Sequence, residues 1–147
     1  MQLRRLERHD LEDCARLYAQ VFVAEPWKEP WNAERALARL AHFHDSHGFV
    51  GMLAETDEQG DIVGFALGTL EPFCTNSLFY LREMCVSASQ QSKGVGTQLY
   101  SALERELTMR GAGAIYLATD RTIPAAGFYQ GLGFHCSDNM AFFAKRL

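Results

Sequence analysis

Two glycines at the start of a helical segment form the part of this sequence best suited to holding an anion. The loop reads Gln-Ser-Lys-Gly-Val-Gly-Thr and joins an apolar run to the most strongly periodic segment of the chain. Glycines let a ligand approach the backbone, and the exposed N–H groups at a helix start bind anions. A pyrophosphate would fit this loop, with Lys93 adding positive charge, but a plain turn with close helix packing has the same pattern. The residues concerned are Gln91, Ser92, Lys93, Gly94, Val95, Gly96 and Thr97.

Two further motifs flank this loop at fixed spacings. Upstream, the segment Glu-Met-Cys-Val ends at Val86, five residues before Gln91. Downstream, residues 125–134 follow the pattern A-x-x-x-Y-x-x-x-G-F, while the loop itself follows Q/R-x-x-G-x-G/A. In this order the motifs resemble those of the GNAT superfamily of acetyl-CoA-dependent N-acetyltransferases, and the resemblance covers about residues 78–134. One departure is Thr122, where these proteins often carry an asparagine.

The resemblance implies a fold and a cosubstrate. The fold is a central, mostly antiparallel sheet flanked by helices, in which the fourth and fifth strands splay apart. The cosubstrate is acetyl-CoA, whose pantetheine arm would add to the exposed strand edge through the backbone of Cys85 and Val86. Phe128, in the last motif, is implied as a further cofactor contact. An unpaired strand edge is a suitable template for an extended ligand that carries amides, so this arrangement is physically reasonable.

Acetyl transfer to an amine needs a neutral nitrogen, a stabilised oxyanion and a proton for the departing thiolate. By resemblance, Tyr129 lies close to the CoA sulfur, where a phenol with an ordinary pKa of about 10 can protonate a thiolate. Glu83 is the candidate base, because alternation along its strand would surround it with apolar neighbours that raise its pKa. Those neighbours are Phe79, Leu81 and Cys85. Plainer roles are also open, as a packing aromatic for Tyr129 and as an ion-pair partner for Glu83.

The acceptor is expected near the two tryptophans of the N-terminal half. Trp27, Trp31 and Glu29 lie in the region where this superfamily usually builds its acceptor pocket. Aromatic walls with carboxylates suit an ammonium group through cation–π and ion-pair contacts. A loop anchored on the core by its two tryptophans is the plainer alternative.

The elements that must position these groups follow from the apolar patterning. Two β-rich apolar runs flank a polar segment, as in a hairpin, and a third run leads into the glycine loop. Apolar residues then recur every four positions from Val95 to Leu107, which predicts a helix that ends at Gly111. The order predicts an α/β chain whose mixed sheet is an antiparallel meander followed by β-α-β. The predicted strands are 2–8, 49–55, 62–70, 78–86, 115–118 and 141–144, and the predicted helices begin near Asp10, after Asn32, at Gly94 and at Ala125.

Size and composition exclude several classes of protein. The 147 residues suit a single domain spanning 1–147, with no repeat or linker. The net charge of -4 disfavours a nucleic-acid partner, and no apolar run is long enough to span a membrane. An arginine-rich N-terminus unlike a secretory signal predicts a cytoplasmic location. Four separated cysteines without a C-x-x-C pair predict reduced thiols. Three nearby histidines, of which only His44 and His47 lie one turn apart, do not form a complete ligand set and predict no metal site. The cysteines and histidines are Cys14, Cys74, Cys85, Cys136, His42, His44 and His47.

These observations predict an N-acetyltransferase that moves the acetyl group of acetyl-CoA to a primary amine by direct attack in a ternary complex. The acceptor is expected to be a small molecule, with an aminoglycoside-like or polyamine-like amine as candidates. Two alternatives stay open: acetylation of a peptide or protein at its N-terminus or a lysine, and a non-catalytic CoA-binding regulatory module. A homodimer is common among proteins of this kind, and the sequence leaves the oligomeric state open.

Overall fold

The computed structural model describes all 147 residues, and they form two compact units, residues 1–116 and residues 117–147. The first unit holds a five-stranded sheet in the order β1-β2-β3-β4-β5. Neighbouring strands are antiparallel from β1 to β4, and β5 runs parallel to β4. The strands are β1 (Gln2–Arg5), β2 (Phe49–Glu55), β3 (Ile62–Pro72), β4 (Ser77–Val86) and β5 (Ala112–Tyr116). The helices of this unit are α1 (Leu11–Val23), α2 (Ala33–His44) and α3 (Val95–Met109), and the second unit holds α4 (Pro124–Gly131).

Helices cover both faces of the sheet. The adjacent residues Leu53 and Ala54 lie in different apolar clusters, as expected when successive strand residues point to opposite faces. Leu53 lies in the cluster built from α1 and α2, and Ala54 packs with Val95 of α3. The predicted mixed sheet flanked by helices is therefore confirmed.

Local signals fixed several element boundaries. Asn32 caps α2, with its side-chain oxygen accepting a hydrogen bond from the Arg35 N–H at 2.8 Å. Gly94 and Gly111 flank α3 with φ of +80° each, a left-handed conformation that glycine adopts without strain. The predicted helix between them is confirmed.

Three predicted strands need correction. The strand predicted at residues 2–8 is β1, which ends at Arg5. The strand predicted at residues 115–118 is β5, which begins earlier and ends at Tyr116. Residues 141–144, predicted as a final strand, have no regular secondary structure. A short apolar run does not show whether a neighbouring strand is available for pairing. Strand formation depends more on that pairing than on the intrinsic β-propensity of the residues.

A β-bulge interrupts the pairing of β3 with β4. Leu67 pairs with Glu83, yet the next residue, Gly68, pairs with Leu81, so β4 carries Arg82 as one extra residue. A bulge places two consecutive side chains opposite one partner and changes the alternation beyond it. The Arg82 guanidinium lies over the ring of Phe43 on α2, so Arg82 and Glu83 both point to the α1/α2 face.

Candidate functional site

The second half of β4 has no partner on its β5 side. The two strands pair only from Ser77 to Tyr80 on β4, because β5 ends at Tyr116. Residues 81–86 therefore offer an open edge while their other side pairs with β3. Such an edge can bond an extended ligand through its unpaired N–H and C=O groups.

The pairing register shows which backbone groups face this open edge. The Ser87 N–H donates to the Val63 carbonyl at 2.8 Å, so these residues form a hydrogen-bonded antiparallel pair. Hydrogen-bonded pairs alternate along an antiparallel ladder, so the backbone of Cys85 bonds to β3 while Met84 and Val86 point outward. The outward-facing backbone groups are therefore those of Met84 and Val86 and not those of Cys85, and the cofactor contact predicted for Val86 stays a prediction. The sequence could locate the strand. It could not show which of its backbone groups bond to β3 and which face outward, because that depends on the partner strand.

The open edge leads to the N-terminus of α3. The Gln98 N–H makes the first bond of the helix, to the Gly94 carbonyl at 3.0 Å, so the N–H groups of residues 95–97 have no helical partner. No side chain caps this end. A Cβ built on Gly94 would meet only the Gln98 side chain, at 4.0 Å, which leaves the backbone open to approach. Uncapped N–H groups at a helix start favour an anion.

Gln91 ties the loop to the end of β4. Its side-chain amide Nε2 donates to the Val86 carbonyl at 3.0 Å. This contact gives Gln91 a structural function that the sequence did not reveal, since it fixes the distance between the open edge and the helix start. Ser92, Lys93 and Thr97 lie in the same segment, and their cofactor contacts stay predictions.

Glu83 is a buried carboxylate with two polar partners. Its side chain is 8% exposed, and Arg39 of α2 donates Nε to it at 2.5 Å. Burial raises the pKa of Glu83, while the positive charge of Arg39 and hydrogen bonds from Arg39 and the Tyr18 hydroxyl oppose that rise. A carboxylate whose pKa is raised holds a proton more readily than an ordinary carboxylate, which suits a general base. Sequence patterning missed both partners because they lie far from Glu83 along the chain.

The neighbours predicted for Glu83 on its strand face were partly wrong. Cys85 belongs to the same α1/α2 cluster, as expected. The bulge at Arg82 moves Leu81 to the opposite face, where it pairs with Gly68, and Phe79 follows, since its ring lies 2.7 Å from where a Gly68 Cβ would sit. Glu83 therefore has an arginine and a tyrosine as neighbours instead of a purely apolar setting.

A family model for the Acetyltransferase (GNAT) family matches residues 8–134. The chain belongs to this family. No curated protein sequence matches the chain at a significant level. The match crosses from the first compact unit into the second.

Solved structures share this fold over almost the whole GNAT chain. The aminoglycoside N-acetyltransferase AAC(6')-Iy in complex with CoA is 23% identical, with a TM-score of 0.75 over 99% of this chain and 95% of that one. A transcriptional regulator from Bacillus halodurans C-125 is 19% identical, with a TM-score of 0.79 over 99% of each chain. An acetyltransferase from Trypanosoma brucei is 22% identical, with a TM-score of 0.72 over 98% and 99%. At these identities the likeness shows the fold alone.

The second unit carries the last GNAT motif. Tyr129 lies on α4, and its ring packs edge-on against Phe128 at 5.3 Å and Phe134 at 5.6 Å. The Phe134 N–H donates to the Tyr129 carbonyl at 3.0 Å, which closes the turn after the helix. The motif thus builds a compact aromatic turn, and the acid role of Tyr129 and the cofactor contact of Phe128 stay predictions.

The two tryptophans predicted for an acceptor pocket pack on the core of the first unit. Trp27 contacts the ring of Phe22 at 5.1 Å, which fits the plainer role as an anchor of the loop. Trp31 lies edge-on to Tyr18 at 5.0 Å, and its buried Nε1 has no hydrogen-bond partner. Glu29 is near enough to raise the pKa of Glu83, though less than burial does. Trp31 thus packs on Tyr18, a partner of Glu83, and Glu29 acts on the same carboxylate, whereas Trp27 packs on Phe22.

The cysteines of this chain are unpaired, and two of them are buried. None of its histidines, cysteines and acids form a group of three that could hold a metal ion. All four cysteines are free, and burial raises the pKa of the Cys14 thiol to about 12 and that of Cys85 well above its ordinary value. A neutral buried thiol is a poor nucleophile. No membrane-spanning helix is present, since each helix lacks the length or the apolar character for it.

Proposed function

We propose that this GNAT protein transfers the acetyl group of acetyl-CoA to a primary amine of a small molecule, by direct attack within a ternary complex. The observation that carries the proposal is the continuity of two binding features in the first unit. The open edge of β4, with outward N–H groups at Met84 and Val86, runs to the uncapped start of α3, where the N–H groups of residues 95–97 are available. An extended amide-bearing arm that ends in a pyrophosphate fits this order of features.

The proposed reaction assigns one task to each group. Glu83 takes a proton from the attacking amine, so that the nitrogen can form its bond to the thioester carbonyl carbon. The Met84 N–H donates to the carbonyl oxygen as negative charge develops there, which replaces the predicted donor near Cys85. The carbon–sulfur bond breaks, and Tyr129 donates its hydroxyl proton to the departing thiolate. Backbone donors fixed in a sheet need no reorganisation during the reaction, which is why they stabilise an oxyanion effectively.

The remaining elements of the proposal concern the whole chain. We propose that residues 1–147 act as one acetyltransferase domain, since the family match spans both compact units. Acetylation of a small molecule is favoured over a peptide by the aminoglycoside acetyltransferases among the proteins of this fold. A cytoplasmic location and a homodimer stay predictions from the sequence.

The proposal is tested by measuring thiol release from acetyl-CoA across a panel of primary amines, with mass spectrometry of the acetylated product. We expect release that depends on one class of amine, and a rise in melting temperature when CoA is added. Stabilisation by CoA without release on any amine would instead show the CoA-binding regulatory module. If CoA does not stabilise the protein and no amine supports thiol release, both functions are excluded.

A further inference from the structure

Arg82 is the extra residue that the bulge inserts into β4, next to the candidate base. The bulge turns its side chain to the α1/α2 face, which is also the face of Glu83. A regular strand would have placed these two side chains on opposite faces. The bulge therefore places the Arg82 guanidinium on the same face of the sheet as the candidate base.

Aromatic rings hold the Arg82 guanidinium in place. Its Cζ lies 3.8 Å from the ring centroid of Tyr80 and 5.6 Å from that of Phe43. The Tyr80 ring stacks in turn on Tyr116 at 4.6 Å with an angle of 3° between the planes. Cation–π contacts of this kind hold a guanidinium against the ring and leave its N–H groups free to donate.

Arg82 forms no direct ion pair with an acid of the chain, although Glu71 accepts a hydrogen bond from Tyr116 at the far end of the same ring stack. Arg39, which lies over the same Phe43 ring at 5.0 Å, forms an ion pair with Glu83. None of the ion pairs or hydrogen bonds of the chain involves Arg82, and the side chain is exposed. Arg39 and Glu83 neutralise each other, and Glu29 adds a negative charge that acts on Glu83. Arg82 differs from these groups because no acid occupies its fork of N–H donors.

We propose that Arg82 binds an oxyanion carried by the acceptor amine, so that the acceptor is an amine with a carboxylate or phosphate group. This inference rests on the proposed function and narrows it. A planar guanidinium matches the two oxygens of such a group, whereas a polyamine would meet repulsion from the same charge. The aromatic and acidic surroundings near Trp31, which the sequence suggested for an ammonium group, would then serve the reacting amine alone.

The experiment compares acceptors that differ only in the oxyanion. Thiol release from acetyl-CoA is measured with alanine against alaninamide, with phosphoethanolamine against ethanolamine, and with spermidine. In one of the two pairs, we expect the wild-type protein to have a kcat/KM about tenfold or more higher for the compound with the oxyanion than for its neutral counterpart. The difference should arise mainly from KM. The two pairs distinguish a carboxylate from a phosphate.

Variants of Arg82 decide whether this residue is the cause. Arg82→Gln should abolish the preference, and Arg82→Lys should keep part of it, since lysine retains the charge but not the fork. Comparing ratios between variants cancels the different basicity of the paired amines. Arg105 is an exposed arginine of α3, so Arg105→Gln is the matched control. This variant should leave the preference between the paired acceptors unchanged. Melting temperatures identify any variant that fails to fold.

The outcomes separate this inference from the proposed function. The role of Arg82 would be overturned if Arg82→Gln left unchanged the ratio of kcat/KM for the oxyanion compound to that for its neutral counterpart. A preference for spermidine would overturn it too, and either result would leave acetyl transfer intact. If no amine supports release, the same pairs are titrated by calorimetry into the CoA-loaded protein. A binding preference lost in Arg82→Gln would then support the oxyanion site although acetyl transfer had failed, and equal binding of both members would overturn the site.

Discussion

Glu83→Gln is expected to lower kcat/KM by about 100-fold or more, which is the contribution that a positioned general base makes. Glutamine keeps the size and hydrogen-bonding shape of the side chain, so the ion pair with Arg39 is lost but little volume changes. The same substitution should remove the acidic limb of the pH–rate profile. The base must be ionised to act, so the pH of this limb follows the pKa of Glu83. We expect the limb at a higher pH than an ordinary carboxylate would give, because burial raises the pKa of Glu83.

Arg39 provides the comparison for this prediction. Its positive charge lowers the pKa of Glu83 against the effect of burial, so Arg39→Gln should move the acidic limb to higher pH. A residue with a merely structural role would change stability without moving that limb. Glu58→Gln, an exposed acid in the turn before β3, should leave the profile unchanged. An unaltered kcat/KM and an unaltered acidic limb in Glu83→Gln would show that Glu83 is not the base.

Gly68→Ala is expected to lower the free energy of unfolding by about 3 kcal/mol or more, at the upper end of what overpacking costs. A Cβ on Gly68 would lie 2.0 Å from the Tyr80 carbonyl oxygen and 2.7 Å from the Phe79 ring. The carbonyl belongs to the neighbouring strand and cannot move away without breaking the pairing beside the bulge. Thermal unfolding measures the effect, with an expected decrease of about 10 °C in melting temperature for a chain of this size.

Gly127→Ala is the matched control for this substitution. Gly127 lies inside α4, and a Cβ there would meet no atom within 4 Å. Alanine is the better helix former, so this variant should be as stable as the wild type or slightly more stable. Equal melting temperatures for Gly68→Ala and the wild type would contradict the close approach of the two strands at the bulge.

The sequence predicted the fold where local patterning determines structure. The apolar runs and the polar turn between them located β2 and β3, and the four-residue periodicity with flanking glycines located α3. The family was indicated by the resemblance of the glycine loop and its flanking motifs to those of the GNAT superfamily, and the family match confirms it. Alternation failed at Arg82, because a bulge is a property of the paired strands and has no signal in one of them.

The candidate site depended more on tertiary contacts. Arg39 lies 44 residues before Glu83, and only the packing of α2 on the sheet brings them together. The choice between Met84 and Cys85 as the outward-facing backbone depends on which pairs of β3 and β4 are hydrogen-bonded. Sequence patterning could therefore identify the strand and the loop. The structure was needed to find the neighbours of the candidate base and to show which backbone groups of β4 face its open edge.

Amide exchange in the presence of CoA tests the central claim most directly, because it reports on the individual N–H groups proposed to hold the cosubstrate. We expect added CoA to slow exchange at Met84 and Val86, and at Val95, Gly96 and Thr97, when it is followed residue by residue by NMR. The Cys85 amide, which already bonds to β3, should be unaffected. Unchanged exchange at Met84, Val86 and the start of α3 in the CoA-saturated protein would contradict binding along the open edge of β4.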